Sequence, residues 1–247
     1  MILTIDRGNT LTKVALFDDL GHIVETFALQ DLTALTDLPF FATGCREEID
    51  DCIISSVVPL QSNDIEVLRH LRYTIFEHNT PIPIINGYET PETLGLDRLA
   101  AAIGATAIKP NTNLLVIDAG SAITYDFIST DGIFRGGNIA PGLAMRLHVL
   151  HDRTAQLPLV ELNDEPVPLS LGRNTLDAIR AGVLQGIVFE ILGYINTLEP
   201  ACVFLTGGDA TRLLPFIEHY CPCDVQHEPN LVHIGLHRVL THIQARL

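Results

Sequence analysis

Apolar residues recur along the opening of this chain with the alternation and short runs of β-structure. Runs over 2–6, 12–17 and 22–29, broken at Gly8 and Gly21, predict a three-strand meander. A short apolar run over 53–57, stopped by Pro59, predicts a buried strand, and residues 64–72 predict a helix. Segment 81–95 is rich in Pro, Gly and Thr and predicts a loop. At Leu96 the pattern becomes helical, LDRLAAAIGATAI, and it stops at Lys109-Pro110.

The opening pattern then returns. Residues 2–20 read ILTIDRGNTLTKVALFDDL and residues 114–132 read LLVIDAGSAITYDFISTDG, so that Asp6 falls on Asp118, Gly8 on Gly120, Thr12 on Thr124 and Asp19 on Asp131. After this second hairpin, Gly136-Gly137 and the string NIAPG predict a loop, 143–150 a helix, and 158–172 a loop that wraps a site or a partner. Residues 174–198 predict a long helix with Asn174, Thr175 and Asp177 at its start. A strand over 202–206, a turn at Gly207-Gly208, a helix over 211–219 and an amphipathic helix over 231–245 complete the chain. Two α/β halves related by duplication, 1–110 and 111–247, with a ligand cleft between them, are the expected organisation; the last helix is free to pack back on the first half.

Composition narrows the partners. The 247 residues are 47% hydrophobic and 18% charged, with a net charge of −15, which argues against nucleic acid or an anionic membrane as partner. No stretch reads as a membrane span of ~20 apolar residues, and the first strand begins without a basic leader, so a cytoplasmic location is expected. The five cysteines follow no disulfide framework, in keeping with a reducing compartment. His219, Cys221, Cys223 and His227 could form a soft-metal cluster, but C-x-C around Pro222 is cramped for zinc, and a surface loop leading to the edge of the last strand is preferred.

The duplicated turns carry the candidate chemistry. In Asp6-Arg7-Gly8-Asn9-Thr10-Leu11-Thr12-Lys13 a glycine lets backbone N–H groups approach phosphate oxygens, and Asn9 and Thr10 add donors. Lys13 can neutralise a phosphoryl oxygen, and Asp6 can hold Mg2+ directly or through water. Either turn alone reads equally as a tight β-turn with solvated polar residues; the recurrence at Asp118-Ala119-Gly120-Ser121 favours a polyphosphate with its metal. A third string, Val203 to Asp209, runs a strand into Gly207-Gly208 and a helix. It suits a purine lying flat against backbone without Cβ atoms, or is a plain strand-to-helix turn.

In this order the three strings resemble the two phosphate motifs and the adenosine motif of the acetate and sugar kinase/Hsp70/actin superfamily. The resemblance implies actin-like (ribonuclease H-like) halves and ATP as the nucleotide. Tyr88-Glu89-Thr90-Pro91-Glu92-Thr93-Leu94-Gly95-Leu96-Asp97-Arg98 further resembles the substrate loop of type III pantothenate kinases, with its G-x-D-R signature after a Tyr. The similarity continues through Gly136-Gly137-Asn138-Ile139-Ala140-Pro141-Gly142 and Gly172-Arg173-Asn174-Thr175 to Thr206-Gly207-Gly208-Asp209, essentially the whole chain.

Carried over by position, this resemblance implies Asp97 as general base for the pantothenate hydroxyl. It implies Tyr88, Gly95, Leu96, Arg98 and Thr175 as pantothenate contacts, Asp118 as ligand of a monovalent cation (K+ or NH4+), and residues 6–13 with Ser121 as ATP contacts. It also implies a homodimer, which the apolar surface of the helix over 174–198 makes physically reasonable. The residue types agree: an Asp in the first turn of a helix stays ionised and can accept a proton, and Arg98 can pair with the pantothenate carboxylate. Two positions depart from the pattern. Ser121 stands for the usual Thr and keeps the hydroxyl; Arg7 stands where a small apolar residue is commoner, and either contacts phosphate or points outward. Another small-molecule kinase on the same scaffold, or a nucleotide-binding regulator without turnover, are the competing functions.

Overall fold

The computed structural model describes residues 1–8, 11–42, 49–161 and 171–246. The chain divides into two compact units, Met1–Pro110 with Gly132–Phe134 and Asn230–Leu247, and Asn111–Asp131 with Arg135–Pro229.

The first unit is built on a five-stranded sheet. Strands β1 (Ile2–Arg7), β2 (Thr12–Phe17), β3 (Ile23–Leu29), β4 (Asp51–Ser56) and β5 (Tyr73–Ile75) lie in the order β3-β2-β1-β4-β5. β1 pairs antiparallel with β2 and parallel with β4. Leu3, Thr4 and Ile5 in β1 and Cys52 to Ser55 in β4 are all buried, so these central strands read as continuous apolar runs and not as alternating ones. At the edge, β3 keeps exposed residues at Val24, Glu25 and Thr26. The short helices α1 (Pro39–Ala42) and α2 (Ser62–Leu68) join the sheet to its flanks. α2 is shorter than the 64–72 pattern suggests, because Leu71 N–H closes back on Leu68 O and the chain turns into β5.

The expected loop over 81–95 holds a two-residue strand, β6 (Ile85–Asn86), and a 3₁₀ turn over Pro91–Thr93. Helix α3 (Leu96–Ile108) follows with the predicted bounds.

The second unit repeats the topology. Strands β7 (Leu114–Ala119), β8 (Ala122–Ile128), β9 (Ile133–Pro141), β10 (Cys202–Thr206) and β11 (Asp224–His227) lie in the order β9-β8-β7-β10-β11. Again the first strand pairs antiparallel with its hairpin partner and parallel with a later strand. The string over 136–142, expected as a loop, is mostly strand: β9 runs through both glycines to Pro141. Gly136 takes φ +107, and a Cβ on Gly137 would collide with the Tyr125 carbonyl, so glycine lets the strand bend and press against β8. The first two residues of β9 pair with β6.

Helices α4 (Leu143–Asp152), α5 (Thr175–Leu198) and α6 (Ala210–Tyr220) complete this unit. α5 is capped by Asn174, whose side chain accepts from Asp177 N–H at 2.9 Å. Ile179, Val183, Ile187, Ile191 and Ile195, at four-residue spacing, enter the core. By length and composition alone, among the described residues α5 is long and apolar enough to cross a membrane, contrary to the expectation that no stretch would be. The expected loop over 158–172 falls largely on residues 162–170, outside those described.

The last helix, α7 (Leu231–Gln244), packs in the first unit against α3. A Cβ on Gly104 would run into Leu231 O, and one on Gly235 into Ala100 O, so the two helix backbones touch at a pair of glycines.

Candidate active site

The first turn closes tightly. Gly8 N–H donates to Leu11 O at 3.0 Å, and Asp6 and Lys13 face each other across the β1–β2 pair. Gly8 N–H is therefore occupied within the turn. Asp6 is half-buried, Lys13 and Leu11 are exposed, and Thr12 is buried. Asn9 and Thr10 lie outside the described residues. Arg7 does not point outward: its Nη1 donates to Asp64 Oδ2 at 2.6 Å, with both side chains mostly buried.

The second turn is one residue shorter, so that Asp118 faces Thr124 where Asp6 faces Lys13. Gly120 N–H donates to Ala122 O at 3.0 Å, Asp118 is half-buried and Ser121 is exposed. A Cβ at Gly120 would meet nothing nearer than 3.6 Å, so the fold itself leaves room there. Gly142 N–H donates to Ser121 O at 3.1 Å, and a Cβ on Gly142 would collide with Gly120 O; close backing of this turn is the physical reason for that glycine. The third string joins the second. Asp118 and Thr206 are register partners on β7 and β10, and Asp209 N–H donates to Ala119 O at 2.9 Å. Gly207, at φ +92, lies so close to Asp118 Oδ1 that any Cβ would displace it. Burial raises the Asp209 carboxyl above its ordinary range, with Arg212 opposing.

Tyr88, Gly95, Asp97 and Arg98 come together in the first unit. The Arg98 guanidinium lies 5.8 Å from the centroid of the Tyr88 ring and is 7% exposed. Tyr88 is held by its N–H donating to Asn86 Oδ1 at 3.0 Å and by packing on Phe134. Asp97, half-buried in the first turn of α3, accepts Arg98 N–H at 2.8 Å, so its carboxylate sits at a helix N-terminus. A Cβ on Gly95 would come within 2.5 Å of Asp97 Oδ1; the glycine leaves that carboxylate its place. Leu96 begins the helix, and His78 Nε2 bonds the preceding Leu94 carbonyl at 2.9 Å.

Thr175 belongs to the second unit, where it lines a cavity of about 910 Å³ together with Pro141, Arg146, Arg173, Asn174 and Ile179. Arg146 shapes this wall: it pairs bidentately with Glu190 at 3.0 and 2.6 Å and donates to Pro141 O at 2.8 Å.

Two hydroxyls escaped the sequence reading. Ser55 Oγ and Thr124 Oγ1 are buried without hydrogen-bond partners, and they are the register neighbours of Asp6 and Asp118 respectively. The only hint in sequence was that β4 ends in two serines. Each carboxylate thus has a hydroxyl neighbour, an oxygen-only donor set of the kind that suits a hard cation. Among the described residues no three His, Cys, Asp or Glu side chains gather into a metal cluster. The sulfurs of Cys221 and Cys223 lie 3.2 Å apart at the end of α6, and burial pushes the Cys223 thiol up to about 12.

A family model for type III pantothenate kinase matches residues 2–197. A type III pantothenate kinase from Phocaeicola vulgatus is 45% identical over 215 residues, covering 85% of this chain and 86% of the relative. One from Porphyromonas gingivalis is 38% identical over 245 residues, covering 96% and 97%. Among solved structures, a conserved Baf-family protein from Campylobacter jejuni superposes with TM-score 0.64 at 22% identity over 98% of this chain and 99% of its own. The activator of 2-hydroxyisocaproyl-CoA dehydratase from Clostridium difficile, with bound ADPNP, gives 0.59 at 11% identity over 100% and 97%. These structures share the actin-like α/β fold in two halves. By the extent of the family match and the identity to its members, the chain belongs to the type III pantothenate kinase family.

Proposed function

We propose that this protein transfers the γ-phosphoryl group of ATP to the hydroxyl of pantothenate, giving 4′-phosphopantothenate in the first step of coenzyme A biosynthesis. The observation that carries the reading is the grouping of Asp97, Gly95, Arg98 and Tyr88 at the start of α3, within a chain that matches the family over 2–197. Asp97 takes the proton of the attacking hydroxyl, and Arg98, steadied on Tyr88, pairs with the pantothenate carboxylate. Leu96 and Thr175 complete the acceptor contacts. Little covalent work is asked of the protein in such a transfer; positioning and charge stabilisation supply the rate. Lys13, Ser121 and the other residues of the segment 6–13 serve the ATP phosphates. Asp6 is the residue to hold Mg2+, which would neutralise phosphate charge, and Asp118 the one to hold K+ or NH4+. The open space at Gly120 supports a ligand passing close to that backbone.

The test is ADP release by the purified protein with ATP, Mg2+ and pantothenate, in K+ and in matched Na+ buffers. Turnover that depends on pantothenate and is far faster in K+ is expected. Turnover with another acceptor, and none with pantothenate, would overturn the substrate assignment. Equal rates in the two salts would remove the monovalent cation from Asp118.

A further inference from the structure

We propose that Arg7 and Asp64 form a clamp that positions the first phosphate turn, so that Arg7 acts on nucleotide binding through Asp64 and not by touching a phosphate. The inference rests on the nucleotide reading above. β1 delivers Arg7 between Asp6 and Gly8, at the entry to the turn. Its Nη1 meets Asp64 Oδ2 at 2.6 Å, with the side chains 14% and 5% exposed. The same carboxylate oxygen accepts Gln61 N–H at 2.7 Å, at the start of α2. One buried atom therefore ties the phosphate turn to a helix that follows β4. The main chain adds a second tie, Val57 N–H to Arg7 O at 3.0 Å.

Beside the pair is a cavity of about 380 Å³, lined by Arg7, Gly8 and Thr12 from the turn, by Gln30 and Asp31 after β3, and by Val58, Pro59 and Gln61 from the β4–α2 connection. Through Asp64 the ion pair ties two of these walls together, Arg7 of the turn and Gln61 of the β4–α2 connection. Its geometry sets how far the end of β1 and Gly8 stand from the start of α2. Drawing the guanidinium away would leave Asp64 charged and buried without its partner, a state the fold disfavours. Arg7 also faces Asp31, whose carboxyl is held below its ordinary range by hydrogen bonds from Thr33 and, to a smaller degree, by the Arg7 charge.

The experiment measures ATP affinity by calorimetry without acceptor, beside steady-state kinetics and thermal melts, for Arg7→Met, Asp64→Asn, the double variant and Arg7→Lys. The double variant leaves no unpaired buried charge and keeps an acceptor for Gln61 N–H, so it guards against loss of fold. A clamp predicts that both single variants and the double variant weaken ATP binding by the same factor, about tenfold. It further predicts an unchanged pantothenate KM and recovery in Arg7→Lys. If Arg7→Met loses ATP affinity and Asp64→Asn does not, Arg7 is a direct phosphate ligand and the clamp is wrong. If melting temperatures fall and ATP affinity holds, the pair is only structural and the clamp is again wrong. Wild-type protein that binds ATP and does not phosphorylate pantothenate would sink the proposed function while leaving this comparison intact. Wild-type protein without ATP affinity would sink both.

Discussion

Asp97 and Arg98 are adjacent in sequence, yet their backbone and side chains part them into separate tasks. Asp97 sits at the N-terminus of α3 with Gly95 making room for its carboxylate, whereas Arg98 is buried against Tyr88. Asp97→Asn keeps the shape and removes the proton acceptor, so kcat is expected to fall ~10²–10⁴-fold with ATP affinity unchanged. Single-turnover kinetics with direct ATP binding checks this, and wild-type kcat in the variant would end the general-base assignment. Arg98→Ala unpairs a buried charge from its substrate partner, and the pantothenate KM should rise by the equivalent of ~2–5 kcal/mol while the ATP KM stays put. An increase confined to ATP would move Arg98 out of the acceptor site. The residue types and order of this segment were legible in sequence through its family string. The approach of Arg98 to Tyr88 was not, because nine residues lie between them and only the fold returns one to the other. Arg7 was the harder case, since its partner Asp64 lies in a helix that no motif marks.

At the scale of elements, α7 is fastened to β1 by a buried pair: Thr4 Oγ1 and His233 Nδ1 lie 2.8 Å apart. Burial, helped by the charge of Lys13, pulls the His233 pKa down from 6.5 to about 4. The unfolded chain therefore takes up this proton near pH 6.5 while the folded chain refuses it until about pH 4. Stability present at neutral pH is lost as the pH falls through that window, by an amount on the order of 3 kcal/mol. Urea titrations at about pH 7 and about pH 4.5 should show this loss in wild type and a smaller one in His233→Asn. Equal losses would place the acid sensitivity elsewhere. The longer helices were readable from periodicity, α3 to the residue, whereas the short α1 was not and α2 ends four residues earlier than its pattern suggests. β9 was not, because two glycines and a proline are turn signals locally; hydrogen bonding to β8 and the lack of side chains facing Tyr125 turn the same residues into strand.

At the scale of the whole molecule, the second unit leaves Phe189 on α5 61% exposed and Ile139 on β9 65% exposed. A second copy covering such residues would be the homodimer that the family resemblance implies. Sedimentation of the wild type should give twice the chain mass, and Phe189→Asp should shift it to the monomer. A wild-type monomer would leave the apolar face of α5 without this explanation. The duplication was visible in sequence and reappears as one strand order used twice, β3-β2-β1-β4-β5 and β9-β8-β7-β10-β11. Hairpins and short apolar runs are local patterns, so the residues alone determined both hairpins, the strands β4 and β10, the two Asp-x-Gly turns and the family to which they belong, whereas β5, β6, β9 and β11 emerged only with the sheets. Tertiary structure decided what depends on partners distant in the chain: α7 returning to the first unit, Arg7 closing on Asp64, and Ser55 and Thr124 standing unpartnered beside the two carboxylates. Burial, register and charge pairing arise only when separated segments share one core, and no periodicity along a single segment records them.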